Sequence, residues 1–146
     1  MGILKRSPMD DWADDLEAVV SNNRNHFIKA ERNDRRRCTV TMSGGRQGVV
    51  GCNGDAVLFT MKLDNVRDIS RRSGLPVPEA YGKLASMMTT SSLGLDAGHD
   101  LHISYIIPKE RYDVIAMGDV LFRWVYAIID YEMGLRKLYH ACGGGE

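Results

Sequence analysis

The chain has 146 residues, 19 basic and 19 acidic side chains and therefore no formal net charge, and 44% of it is hydrophobic. That composition suits one soluble globular domain and excludes both a disordered chain and a protein that grips nucleic acid or anionic lipid by overall charge. Three cysteines, Cys38, Cys52 and Cys142, are odd in number and lack C-x-x-C spacing, which points to a reducing, cytoplasmic setting.

Residues 1–8 read as an N-terminal tail: "MGILKRSPMDDW" carries two basic residues but no apolar run of leader length, and Arg6 stands where N-myristoylation wants a hydroxyl. Ser7-Pro8-Met9-Asp10 is a helix start, with a hydroxyl cap, a proline at the first position and an acid at the third. Trp12, Leu16, Val19, Val20 and Phe27 then predict one long amphipathic helix, its acids near the start and Arg24, Lys29 and Arg32 near the end. Arg35, Arg36 and Arg37 follow as a solvated helix end.

"CTVTMS" (38–43), "VVGC" (49–52) and "AVLFTMKL" (56–63), separated by "GGRQG" and by "NG" at 53–54, predict a three-stranded meander. In its last strand Val57, Phe59, Met61 and Leu63 share the core face, and Ala56, Leu58, Thr60 and Lys62 the other. Residues 64–74 suit either a short helix between Asp64 and Gly74 or an irregular crossing. Pro78 opens a helix over about 78–91 with a stripe of Tyr81, Leu84, Met87 and Met88. "SLGLD", "AGHD" and "LHISYIIP" predict a hairpin with Leu101, Ile103, Tyr105 and Ile107 inward, ended by Pro108. A final helix is expected from near Glu110 to about Tyr139, before a loose tail over 140–146.

That last helix is the informative one. Val114, Met117, Leu121, Trp124, Ile128, Tyr131, Leu135 and Leu138 form one seam, and Ile115, Phe122, Tyr126, Ile129 and Met133 add a second apolar flank. Asp119, Arg123, Asp130 and Glu132 interrupt the run and exclude a membrane span. The surplus of apolar surface points to a protein partner, most simply a second copy, with Leu121, Trp124, Val125, Ile128, Ile129 and Met133 as the contacts. Gly118 and Gly134 suggest close approach of another backbone.

Catalytic and cofactor chemistry finds little support. The four histidines do not pair at ligand spacing, and a metal at His99 and His102 would need Asp96 or Asp100 to converge. "SGGRQG" lacks the lysine and hydroxyl of a phosphate loop and reads as a plain hairpin turn. No arrangement sets a base beside a nucleophile, so no catalytic, cofactor or metal residue is assigned. Arg35, Arg36 and Arg37 are the candidates for a phosphate or nucleic-acid contact.

The order of elements, with Val77-Pro78, Leu93-Gly94-Leu95-Asp96 and Val114–Leu138 at its key points, resembles the YbjN-type family over roughly residues 9–139. It departs where "MTTSS" (88–92) replaces an asparagine that commonly ends the middle helix. The resemblance implies a fold like that of type III secretion chaperones and a non-enzymatic binding role. The expectation is thus a single α+β domain over 9–139: an antiparallel sheet of about five strands with N-terminal, middle and long C-terminal helices. Its expected role is a chaperone-like, protein-binding adaptor without cofactor, acting as a homodimer or a subunit of a larger complex. The alternative is a nucleic-acid-associated protein using Arg35–Arg37.

Overall fold

A computed structural model describes residues 7–88 and 93–143. Its elements are α1 (Trp12–Ser21), β1 (Phe27–Asp34), β2 (Arg37–Met42), β3 (Gln47–Cys52), β4 (Ala56–Asn65), α2 (Val66–Ser73), α3 (Val77–Met87), β5 (Gly94–Leu95), β6 (Asp100–Pro108) and α4 (Val114–Ala141), with short 3-10 turns at Pro8–Asp11 and Lys109–Arg111. The strands form one six-stranded antiparallel sheet in the order β1-β2-β3-β4-β6-β5, so the fold is α+β with a long C-terminal helix. Expectations for residues 1–6, 89–92 and 144–146 lie outside the described residues, but the middle helix, expected to run to about 91, already ends at Met87, because Met88 turns to an extended backbone.

The chain divides into two compact units. The first comprises residues up to Thr60 with Tyr105–Leu121. It opens as the sequence indicates, with Ser7 and Asp10 making a reciprocal capping box ahead of α1. The helix then stops at Ser21, where the long helix expected from the pattern should have continued. "SNNRN" is the cause, since its polar residues offer local bonds in place of helical ones: the Asn23 amide donates to the Val19 carbonyl at 2.7 Å. Phe27 is buried as expected, but as the first residue of a strand. The charges follow suit, for Arg32 reaches across from β1 to Asp14 and Glu17 on α1 instead of sitting at a helix end. This extra strand raises the expected five to six.

Strand β1 pairs with β2 through Ala30 opposite Val40 and Arg32 opposite Cys38, with irregularities on either side. Arg35 and Arg36 therefore occupy the β1–β2 turn and Arg37 begins β2, which corrects their placement at a helix terminus. The "NG" turn forms as expected: Gly54 takes a φ of +90°, and the Asn53 side chain accepts the N–H groups of Asp55 and Ala56, both at 2.9 Å. Cys38, Val40, Met42, Val50, Val57 and Phe59 are buried in this unit with Trp12, Leu16 and Val20 of α1. Tyr112 donates its hydroxyl proton to Asp15 at 2.7 Å. Burial, then that carboxylate, holds the Tyr112 hydroxyl well above the ordinary tyrosine range.

The second unit comprises Met61–Ser104 with residues from Phe122 on. Residues 64–74 settle as a helix, but its cap is Asn65, whose side chain accepts the Arg67 N–H at 3.0 Å, rather than Asp64. Gly74 closes it in the left-handed conformation. Leu84 is fully buried and Ala80 joins it, while Tyr81 is half-buried and donates to the Leu93 carbonyl. The β5–β6 turn at 96–99 is held by Asp96, which accepts from the Asp100 N–H and lies 2.7 Å from His102 Nε2. Its carboxyl is lowered chiefly by that histidine. Met61, Leu63, Ile69, Leu84, Leu101 and Ile103 are buried in this unit with Trp124, Tyr131 and Leu138 of α4.

Candidate functional site

Helix α4 begins later than the sequence suggests. Lys109–Arg111 form a separate 3-10 turn, and Asp113 supplies the cap, its side chain accepting the Ala116 N–H at 2.7 Å. From there the helix runs 28 residues, about 42 Å.

Most of the expected seam is buried. Met117, Leu121, Trp124, Tyr131, Leu135 and Leu138 face the interior, whereas Val114 is exposed and Ile128 half-buried. Polar bonds lock the part of this face from Phe122 on within the second unit: Tyr131 donates to Asp64 at 2.7 Å and Trp124 Nε1 to the Ile103 carbonyl at 3.4 Å. The Arg72 guanidinium lies over the Tyr139 ring, 4.4 Å from its centre.

The six contact candidates accordingly separate. Leu121 and Trp124 are wholly buried and Val125 is 8% exposed, so these three are core in this conformation and offer nothing to a partner. Ile129 and Met133 are each 49% exposed and Tyr126 is 60% exposed. Together with Met87, Asp130, Gly134 and Lys137 they line a depression of about 360 Å³. Gly134 explains its shape. An added Cβ there would lie 3.3 Å from Leu84 Cδ1 and 3.6 Å from Met87 Cβ, so the glycine lets α3 close in. What lies against Gly134 is not another backbone but the side chains of Leu84 and Met87 from α3 of the same chain, and at Gly118 an added Cβ would meet nothing within 4 Å. Met87 and Lys137 were not among the sequence candidates, and Met87 reaches the depression only through the docking of α3.

The arginine candidates lie elsewhere, in the first unit. Arg35, Arg36 and Arg37, with Asp34, Val49, Gly51, Cys52, Asn53, Leu58 and Thr60, line an open depression of about 690 Å³. "SGGRQG" is a hairpin turn in which the Met42 N–H donates to the Arg46 carbonyl at 2.8 Å. Among the described residues no three His, Cys, Asp or Glu side chains converge as metal ligands, and no helix is long and apolar enough to cross a membrane.

The chain is similar in structure to a chain of the HopA1–SchA chaperone–effector complex, with a TM-score of 0.55 and 17% identity over 92% of this chain and 99% of that one. At that identity the likeness is one of fold, and it agrees with the chaperone-like architecture expected above. No protein-family profile and no curated protein matches the sequence.

Proposed function

We propose that this protein is a non-enzymatic, chaperone-like adaptor that binds protein through the exposed flank of α4, as a homodimer or as a subunit of a larger complex. The observation that carries the reading is the strip of Tyr126, Ile129 and Met133, three large apolar side chains left in water beside a depression that α3 and α4 form together. Fully burying a side chain such as Ile or Met contributes about 1.5–3 kcal/mol, so covering the exposed half of each is worth roughly 1 kcal/mol per residue. In a twofold pair every such residue counts twice. The fold shared with a chain of a chaperone–effector complex supports a binding role, and the YbjN-type resemblance belongs to the same reading. Three unpaired cysteines, one of them buried, fit a reducing cytoplasmic setting.

Sedimentation equilibrium of the full chain tests this. The parent protein should associate at micromolar concentration, and Ile129→Asp with Met133→Asp should make it monomeric at an unchanged thermal midpoint. A parent protein that stays monomeric up to 100 μM or so, well above ordinary dimer constants, removes the homodimer. A native mass spectrum of protein taken from its own cells then decides whether a different subunit occupies α4.

A further inference from the structure

We infer that the depression on the outer face of β2, β3 and β4 in the first unit is a docking groove for an extended acidic peptide with interspersed apolar side chains. This surface shares no lining residue with the α4 strip, and the inference stands apart from the proposal made for it.

Register builds the groove. Val49 lies opposite Thr39 and Gly51 opposite Arg37, while the alternate residues Cys38, Val40 and Val50 are buried. Arg37, Val49 and Gly51 therefore share the outer face, to which Leu58 and Thr60 of β4 add their side chains. Gly51 leaves the floor open beneath the β1–β2 turn, since a Cβ there would sit 3.2 Å from the Arg36 carbonyl oxygen. The turn is held against this strand because the Cys52 N–H donates to that same oxygen at 2.9 Å. Val49 and Leu58, 41% and 39% exposed, give the floor two apolar side chains that the chain itself does not cover.

Charge selects the occupant. On the β1–β2 hairpin Lys29 pairs with Glu31, Arg32 with Asp14 and Glu17, and Arg37 with Asp34. Arg35 and Arg36 have no carboxylate partner among the described residues. Asp34 does not neutralise them: it takes the backbone N–H of Arg36 at 2.8 Å and the Arg37 side chain at 3.2 Å. Three guanidiniums against one carboxylate leave the lining with two positive charges. Two guanidiniums beside an apolar floor suit a ligand that offers carboxylates and aliphatic groups by turns. An extended peptide does this, because its side chains alternate faces and advance about 3.3 Å per residue. Crossing from β2 to β4 at about 4.8 Å per strand takes roughly 10 Å, or three to four residues. Single-stranded nucleic acid fits less well, for no aromatic side chain lines the groove to stack a base.

The test is fluorescence anisotropy of the full chain with a labelled octapeptide of alternating glutamate and valine. A lysine–valine octapeptide, a ten-nucleotide oligothymidylate and inorganic phosphate serve as comparisons. The Glu–Val peptide should bind and should shield the half-buried Cys52 from alkylation. It should weaken at least about tenfold in Arg35→Glu/Arg36→Glu, exposed turn positions whose circular dichroism should be unchanged. Leu58→Gln should weaken it as well, and the milder Arg35→Gln/Arg36→Gln guards against any effect of charge reversal on the fold. Affinity equal to that of the lysine–valine peptide, no loss in either arginine variant, or dependence on Ile129 in place of Arg35 and Arg36 overturns the inference. So does oligothymidylate binding more tightly than the peptide with no effect of Leu58→Gln, the signature of a phosphate-driven site, or phosphate displacing the peptide at low millimolar concentration.

Discussion

The two interior glycines of α4 provide a direct measure of what lies against the helix. Glycine in a helix interior costs about 1 kcal/mol relative to alanine, so Gly118→Ala and Gly134→Ala gain the same amount intrinsically and differ only by crowding. At Gly118 the added methyl meets nothing within 4 Å. Its full gain of about 1 kcal/mol should raise the thermal midpoint by roughly 2–4 °C in a chain of this size. At Gly134 the methyl would press on Leu84, which is fully buried and has little room to move, and on Met87. Overpacking of that kind costs about 1–3 kcal/mol, so the net change should lie between zero and a loss of about 2 kcal/mol. Thermal unfolding followed by circular dichroism, with urea titrations at constant slope, reads both. Equal gains at the two positions would refute the close approach of α3 to α4. A loss at Gly118 would show that another chain covers that part of the helix.

Three further outcomes follow from the side-chain environments. Trp124→Asp should unfold the protein rather than merely dissociate it, since truncating a buried tryptophan alone costs about 3–5 kcal/mol and the new carboxylate would be unpaired; a urea midpoint equal to the parent's would contradict this. Tyr112 and Tyr139 both titrate above the ordinary tyrosine value of 10.0, each chiefly through burial. Above that pH the unfolded chain loses protons that the native chain keeps, so stability should fall as pH rises past 10, and Tyr112→Phe should flatten the fall in a pH series of urea midpoints. Burial also pushes the Cys38 thiol up. Mass spectrometry after brief alkylation should therefore find Cys52 and Cys142 modified before Cys38, and early modification of Cys38 would mean that the β2 core opens.

Where local chemistry decides, the fold was legible. The capping box at Ser7, the "NG" turn and the odd-numbered core face of β4 each depend on residues within a few positions of one another, and each forms as the pattern indicates. Strand β1 was not legible by that route. Phe27 falls seven residues after Val20, a spacing that helical and coincidental burial satisfy equally, and "FIKAERND" has no alternation, being exposed over most of its length. The sign of the turn was present in "SNNRN", but apolar periodicity outweighed it.

The same division explains the site. Sequence periodicity locates two apolar flanks on α4, yet it cannot say which flank the chain covers, because that depends on α3 arriving through Leu84 and Met87 at a glycine. The aromatic with the largest burial potential, Trp124, belongs to the covered flank, while the residues left in water are Tyr126, Ile129 and Met133. A contact residue therefore has to be chosen by the difference between its hydrophobicity and its burial, and only coordinates supply the second quantity. The arginine run gives the converse case: its charge was visible, but neither its pairing nor its apolar floor was, since Val49 and Leu58 meet it only through the antiparallel register of β2 and β3 and the neighbouring β4.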